Sequence, residues 1–168
     1  MNYLTLALRL IHIIGGIIWV GGALLMNFFV APTLRATGDA GRQFAGHLMG
    51  KTAFPKIMLG AGLLTVLAGA YLYGVYSNWF ISGWMMTGTG IGFGIGAVTG
   101  IAALVFGFMV GNTNRAMAAL GAQIQGKPTD GQMAEMGMLR KRQVFVTAGN
   151  TICIIISIAM MASARFLG

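Results

Sequence analysis

Apolar residues in this 168-residue chain do not alternate as strand faces would; they gather into four long runs, residues 4–30, 55–76, 83–111 and 144–167. The stretches between them carry nearly all the charge. Each run reaches the roughly 20 residues that cross about 30 Å of hydrocarbon as a helix. A helix also satisfies its own backbone donors and acceptors, as a segment in lipid must. The pattern predicts an all-α integral membrane protein, a four-helix bundle forming a single transmembrane domain over residues 1–168. The first run is longer than the apolar core of a secretory signal and has no small-residue cleavage site before the chain turns polar. It is therefore expected to stay in the mature protein.

The connections carry patterns of their own. Residues 39–49 set Phe44, Ala45, Leu48 and Met49 against Arg42, Gln43 and His47, which suits a short helix lying in the interface. Pro55 follows, at a position that fits the first turn of the second span. Residues 126–131, Gly-Lys-Pro-Thr-Asp-Gly, read as a turn. It joins an extension of span three over residues 115–125 to a helical piece, residues 132–143, that leads into span four. Short cytoplasmic helices are thus expected between spans one and two and between spans three and four.

Composition agrees, with 57% hydrophobic and only 8% charged residues, too apolar for a soluble domain. The net charge of +8 adds orientation. Nine of the eleven cations lie in or beside two connections: Arg35, Arg42, Lys51 and Lys56 in one, Arg115, Lys127, Arg140, Lys141 and Arg142 in the other. Basic residues near span ends stay on the cytoplasmic side, so a multi-pass protein of the inner membrane with both termini outside is expected. Arg140, Lys141 and Arg142 form a candidate contact for anionic lipid headgroups. Because these cations flank spans and are not interleaved with aromatics, a nucleic-acid partner is not expected. The acids Asp39, Asp130 and Glu135 all fall in the same connections, leaving no carboxylate pair in the spans for a proton relay. Cys153 is the single cysteine, so no intrachain disulfide or CxxC site exists.

His12 is the candidate that stands out, because an ionisable side chain at membrane depth needs a partner, water or a metal. His12, Gly15, Gly16, Trp19, Gly22, Ala23 and Met26 recur at helical intervals and share a face that should look into the bundle. With both termini outside, His12 lies roughly 12 Å into span one at about 1.5 Å per residue, level with Gly69, Gly92 and Met160. Span three carries Gly88, Gly92, Gly96 and Gly100 at four-residue spacing, with Gly90 and Gly94 offset by two. Such a smooth face accepts a neighbouring helix or a flat ligand. Two readings follow. In one, His12 is the axial metal ligand of a haem b lying among Trp19, Gly69, Gly92 and Gly96, with Met160 as a second ligand or the sixth position open. In the other, the histidine is satisfied by the bundle, the glycines pack helices, and the chain is a noncatalytic accessory or scaffold subunit of a larger membrane complex or a homo-oligomer. The 13 methionines raise a third class, copper handling, since thioethers suit Cu(I). They form no single conduit, and methionine is also an adaptable filler of apolar contacts.

The stretch His-x6-Trp-x2-Gly from His12 to Gly22, followed by Ala31-Pro32-Thr33-Leu34-Arg35, resembles the copper resistance protein D family and the short four-helix protoporphyrinogen oxidases. The likeness continues through residues 54–58 and 67–72, so it covers about the first 75 residues. It implies a haem b or metal-associated redox or electron-transfer role with His12 as ligand, and Arg35 and Lys56 as polar residues near the inner face. Span three has no histidine and the loop before span two no arginine pair of the oxidase type, so no turnover chemistry is assigned.

Overall fold

The computed structural model describes residues 3–124 and 126–168. Its elements are α1 (Tyr3–Leu25), α2 (Ala31–Ala36), α3 (Gly38–Lys51), α4 (Phe54–Tyr76), α5 (Gly88–Gln123) and α6 (Asp130–Ser163), with no strand among the described residues. Among the described residues four helices are long and apolar enough to cross a membrane. The expected spans match them with shifted ends. The first continues beyond α1 through a π-helical turn, Met26–Val30, and into α2. The third begins later than expected, because Gly83–Met86 closes a separate 3₁₀ turn and Thr87 caps α5 by accepting from the Gly90 amide.

Where a short helix was expected over residues 39–49, the chain forms α3. Between spans three and four there is no separate short helix among the described residues. α5 runs on through Arg115 to Gln123, and α6 starts at Asp130 and continues unbroken. Gln125, the end of the expected extension, lies outside the described residues. The 36 residues of α5 extend ~54 Å at 1.5 Å each, well past a hydrocarbon core of ~30 Å. Gly126 turns the chain with φ +82°, a conformation glycine adopts freely. Thr129 and Gln132 then cap α6 reciprocally, satisfying two donors at its first turn.

The helices form two antiparallel hairpins. α1 packs along α4 and α5 along α6, the hairpins meet chiefly through α4 and α5, and α1 barely touches α6. Where they do meet, Asn27 Nδ2 donates to Thr151 Oγ1 at 2.9 Å. Close approach in each hairpin rests on glycine. On α5, Gly92 faces Ala164 and Leu167, Gly96 faces Met161, and Gly100 faces Ser157, whose hydroxyl donates to the Gly96 carbonyl at 2.8 Å. Asn150 Nδ2 adds a bond to the Ala103 carbonyl at 2.7 Å. Without water or a hydrophobic drive between helices, small residues and interhelical hydrogen bonds are what hold such pairs.

Packing inside is sparse. Trp19, Ala61, Ala103 and Ile154 form a buried cluster, while Ile13, Ile17, Leu67, Val98, Val105 and Ile155 stand exposed on the outer faces. The accessible surface is 10657 Å², against about 8,000 Å² for a soluble monomer of this mass. A surface this large, with aliphatics standing outward, fits a lipid environment, where such side chains are already solvated.

The link from α4 to α5 holds the tightest local structure. Asn78, Trp79 and Phe80 carry φ of 48°, 55° and 71°, a left-handed turn in three residues that have a Cβ. Each costs roughly 1–2 kcal/mol. The Trp79 amide donates to the Gly74 carbonyl at 2.7 Å, and the Ser77 hydroxyl accepts from the Phe80 amide at 3.1 Å. Trp79 then meets Tyr71 edge-on, and Tyr73 touches both Phe80 and Trp84. Tyr76 also meets Trp84, so Tyr73, Tyr76, Phe80 and Trp84 form one aromatic cluster at this end of the helices.

Candidate functional site

α1 and α4 meet through large residues on one helix and glycines on the other. A Cβ on Gly62 would stand 3.2 Å from the Trp19 indole, and one on Gly69 would stand 2.7 Å from His12 Cε1 and 2.9 Å from Nδ1. Gly62 and Gly69 are seven residues apart, as are His12 and Trp19. Seven residues are nearly two helical turns, so each pair stays on one face of its helix. The His-x6-Trp spacing is thus a pair of knobs seated in two glycine notches of α4. The roles reverse between them, where Thr65 Oγ1 would lie 2.7 Å from a Cβ on Gly15.

His12 faces the α1–α4 seam and is partly buried. Its Nδ1 lies 2.7 Å from the carbonyl oxygen of Thr65. A carbonyl can only accept, so Nδ1 carries the proton and, in the neutral ring, Nε2 is left as a bare lone pair. Thr65 turns its own hydroxyl back to the Ala61 carbonyl at 2.7 Å, so it does not compete for the imidazole. An Nδ1–H anchored to a backbone carbonyl is the arrangement that orients a metal-ligating histidine through Nε2.

The other residues named from sequence divide. Trp19 and Gly69 stand with His12 in the α1–α4 seam, Trp19 as part of the apolar cluster. Gly92 and Gly96 do not. Their open faces are filled by Ala164, Leu167 and Met161 of the segment ending the chain, so the glycine series of α5 is a helix contact and offers no bed for a macrocycle. Of the methionine pair it is Met161 that occupies the Gly96 notch, and Met160 stays partly buried on α6. Among the described residues no three His, Cys, Asp or Glu side chains gather as a metal cluster. The chemistry available at His12 is that of a single imidazole nitrogen with a fixed tautomer.

Arg140, Lys141 and Arg142 are exposed on α6, as are Arg35 and Lys56 on their helices. A cleft of about 400 Å³ lies at the corner of α3 and α4, lined by Met49, Lys51, Thr52, Pro55 and Lys56. It is more than two helical turns from Thr65 along α4 and is no part of the His12 site. One feature escaped the sequence reading. Arg9, a turn before His12, donates to the Tyr76 hydroxyl and lies 5.4 Å over the Tyr76 ring. The i, i+3 spacing of Arg9 and His12 was the available signal.

Comparison with known proteins gives no matching family model, no matching curated protein and no matching solved structure.

Proposed function

We propose that this chain is a small membrane protein that binds a planar metal cofactor of the haem b kind, with Nε2 of His12 as axial ligand. The observation that carries the reading is the Nδ1–H bond to the Thr65 carbonyl, which holds the ring in a notch and leaves Nε2 as the nitrogen not engaged by the protein. The donor set fits an axial imidazole. It does not fit a macrocycle lying on Gly92 and Gly96, whose faces α6 and the turn after it cover. His12 would hold the group, and Thr65 would orient the ring. A bound haem would supply one-electron chemistry at iron. The test is the absorption spectrum of the detergent-purified chain. A Soret band in the wild type that is lost in His12→Ala supports the reading, and an unchanged spectrum in that variant overturns it.

The charge pattern supports an inner-membrane orientation with both termini outside and α2, α3 and the 126–131 turn in the cytoplasm. Single cysteines in a Cys153→Ser background decide it. A thiol at Ser82 should react with an impermeant maleimide in intact cells, and one at Lys127 only after lysis.

A second reading is favoured by the surface. α1 rests almost wholly on α4 and leaves most of its apolar circumference uncovered, as a helix docking into a larger membrane complex or a second copy would. A stoichiometric partner in native mass spectra, with no chromophore, would support this accessory role in place of the first.

A further inference from the structure

The corner between α3 and α4 is closed by one side chain. Lys51 ends α3 and Phe54 opens α4. Between them the Thr52 hydroxyl donates to the Leu48 carbonyl at 2.6 Å and accepts from the Phe54 amide at 3.1 Å. Thr52 itself is extended, with φ −109° and ψ 167°, so the chain changes direction at once. The cleft of about 400 Å³ lies in the angle so formed. That volume falls within the roughly 300–1,000 Å³ of sites that hold small molecules. Met49, Ala53 and Pro55 give the cleft an apolar wall, and the exposed Lys51 and Lys56 bring two cations to it from the two sides of the corner. Neither lysine has an acid to pair with. Among the described residues the sole ion pair is Arg42 with Asp39, and Asp39 stands ~18 Å before Lys51 along α3 at 1.5 Å per residue. Asp130 and Glu135 belong to α6, which makes no substantial contact with α3. The dipole of α4 adds to the two lysines, since its positive end opens at the same corner.

We infer that this cleft binds the phosphate of an anionic phospholipid. The site is separate from His12 and does not depend on what that residue holds. Position in the fold selects the source of the phosphate. The cleft stands at the mouth of the second span, and Ile57 and Leu59, just inside it, are exposed as lipid-facing side chains are. Phe44 and Met49 on α3 are exposed apolar residues too, so both walls of the corner lead from the charged rim onto apolar surface. A headgroup phosphate at this level meets both ammonium groups while its glycerol and first methylenes follow Met49 and Pro55. Arg140, Lys141 and Arg142 carry more charge, but they stand exposed along a continuous helix and line no part of this cleft. A free phosphate ion shares the ammonium contacts and is the other source the experiment separates.

The experiment titrates the full chain in dodecyl maltoside with phosphatidylglycerol or phosphatidylcholine and reads the first bound lipid by native mass spectrometry. Wild type should favour phosphatidylglycerol by about tenfold or more, since each lysine near a membrane surface is worth about fivefold. Lys51→Gln/Lys56→Gln, at two exposed positions, should lose that preference with its helices intact by circular dichroism. Thr52→Val keeps both cations but releases the corner, and should lower the preference by about threefold or more, as loss of a hydrogen bond does. Arg140→Gln/Lys141→Gln should keep it. Equal uptake of the two lipids by wild type overturns the inference, as does a preference that survives loss of both lysines. An unchanged preference in Thr52→Val, or its loss in Arg140→Gln/Lys141→Gln, would assign the effect to diffuse surface charge and also overturn it. Displacement of the lipid by millimolar inorganic phosphate, but not by chloride at equal ionic strength, would give the cleft to a free anion and remove the lipid from it.

Discussion

Replacing Gly69 with alanine puts a methyl 2.7 Å from His12 Cε1 and 2.9 Å from Nδ1, where carbon atoms prefer about 3.5–4.0 Å. The imidazole must withdraw by nearly 1 Å. Its Nδ1 starts 2.7 Å from the Thr65 carbonyl, so that movement carries the pair out of hydrogen-bond range. Overpacking costs roughly 1–3 kcal/mol, and an interhelical bond in a membrane protein averages about 0.6 kcal/mol. Against these stands a gain of up to about 1 kcal/mol in helix propensity. The expected result is a net loss of about 1–3 kcal/mol. Gly60 on the same helix provides the control, since a Cβ there meets nothing within 4 Å and Gly60→Ala should be neutral or slightly stabilising. Unfolding in mixed micelles of rising SDS fraction reads the difference, and ¹⁵N spectra of the imidazole report the Nδ1 proton. If Gly69→Ala is as stable as Gly60→Ala and leaves that proton unshifted, His12 is not seated in the Gly69 notch and the site has been built wrongly.

Two further outcomes follow from the packing. A double-mutant cycle on Asn27→Ala and Thr151→Ala should give a coupling of about 0.6 kcal/mol and not above about 2 kcal/mol, measured by the same unfolding assay. Zero coupling would mean that α1 and α6 are not tied through this pair. Gly41→Ala would set a methyl 2.2 Å from the Leu34 carbonyl oxygen, a backbone atom that cannot step aside, so the corner between α2 and α3 should open. Faster protease cleavage between residues 35 and 42, with the four long helices intact by circular dichroism, is the expected signature.

The spans were readable because composition alone sets them: a run of 20 apolar residues has few other homes. Their ends were less so. Trp84, Met85 and Met86 are as apolar as a helix interior, and only the Thr87 side chain reaching the Gly90 amide fixes where α5 begins. The π turn at Met26–Val30 leaves no mark in hydropathy, since its residues continue the apolar run through to Pro32. At the site, the shared face of His12 and Trp19 and the nearness of Gly69 followed from spacing and depth. Depth gives a level in the membrane but does not pair helices. Gly69 and Gly92 looked equally close to His12, and what separates them is that α4 packs on α1 while α5 gives its glycines to α6.

The two notches of α4 also bear on why an imidazole stands where it does. Trp19 fills the Gly62 notch and joins the apolar cluster, so bulk is what the seam itself requires. An apolar side chain of similar size would meet the same need at Gly69. Histidine brings two nitrogens into hydrocarbon, and burying a polar group costs about 1–3 kcal/mol when it is unpaired. The Thr65 carbonyl satisfies one nitrogen and leaves the other bare. Packing therefore accounts for the position of this side chain but not for its chemistry. The excess lies in Nε2, the nitrogen that the protein does not engage.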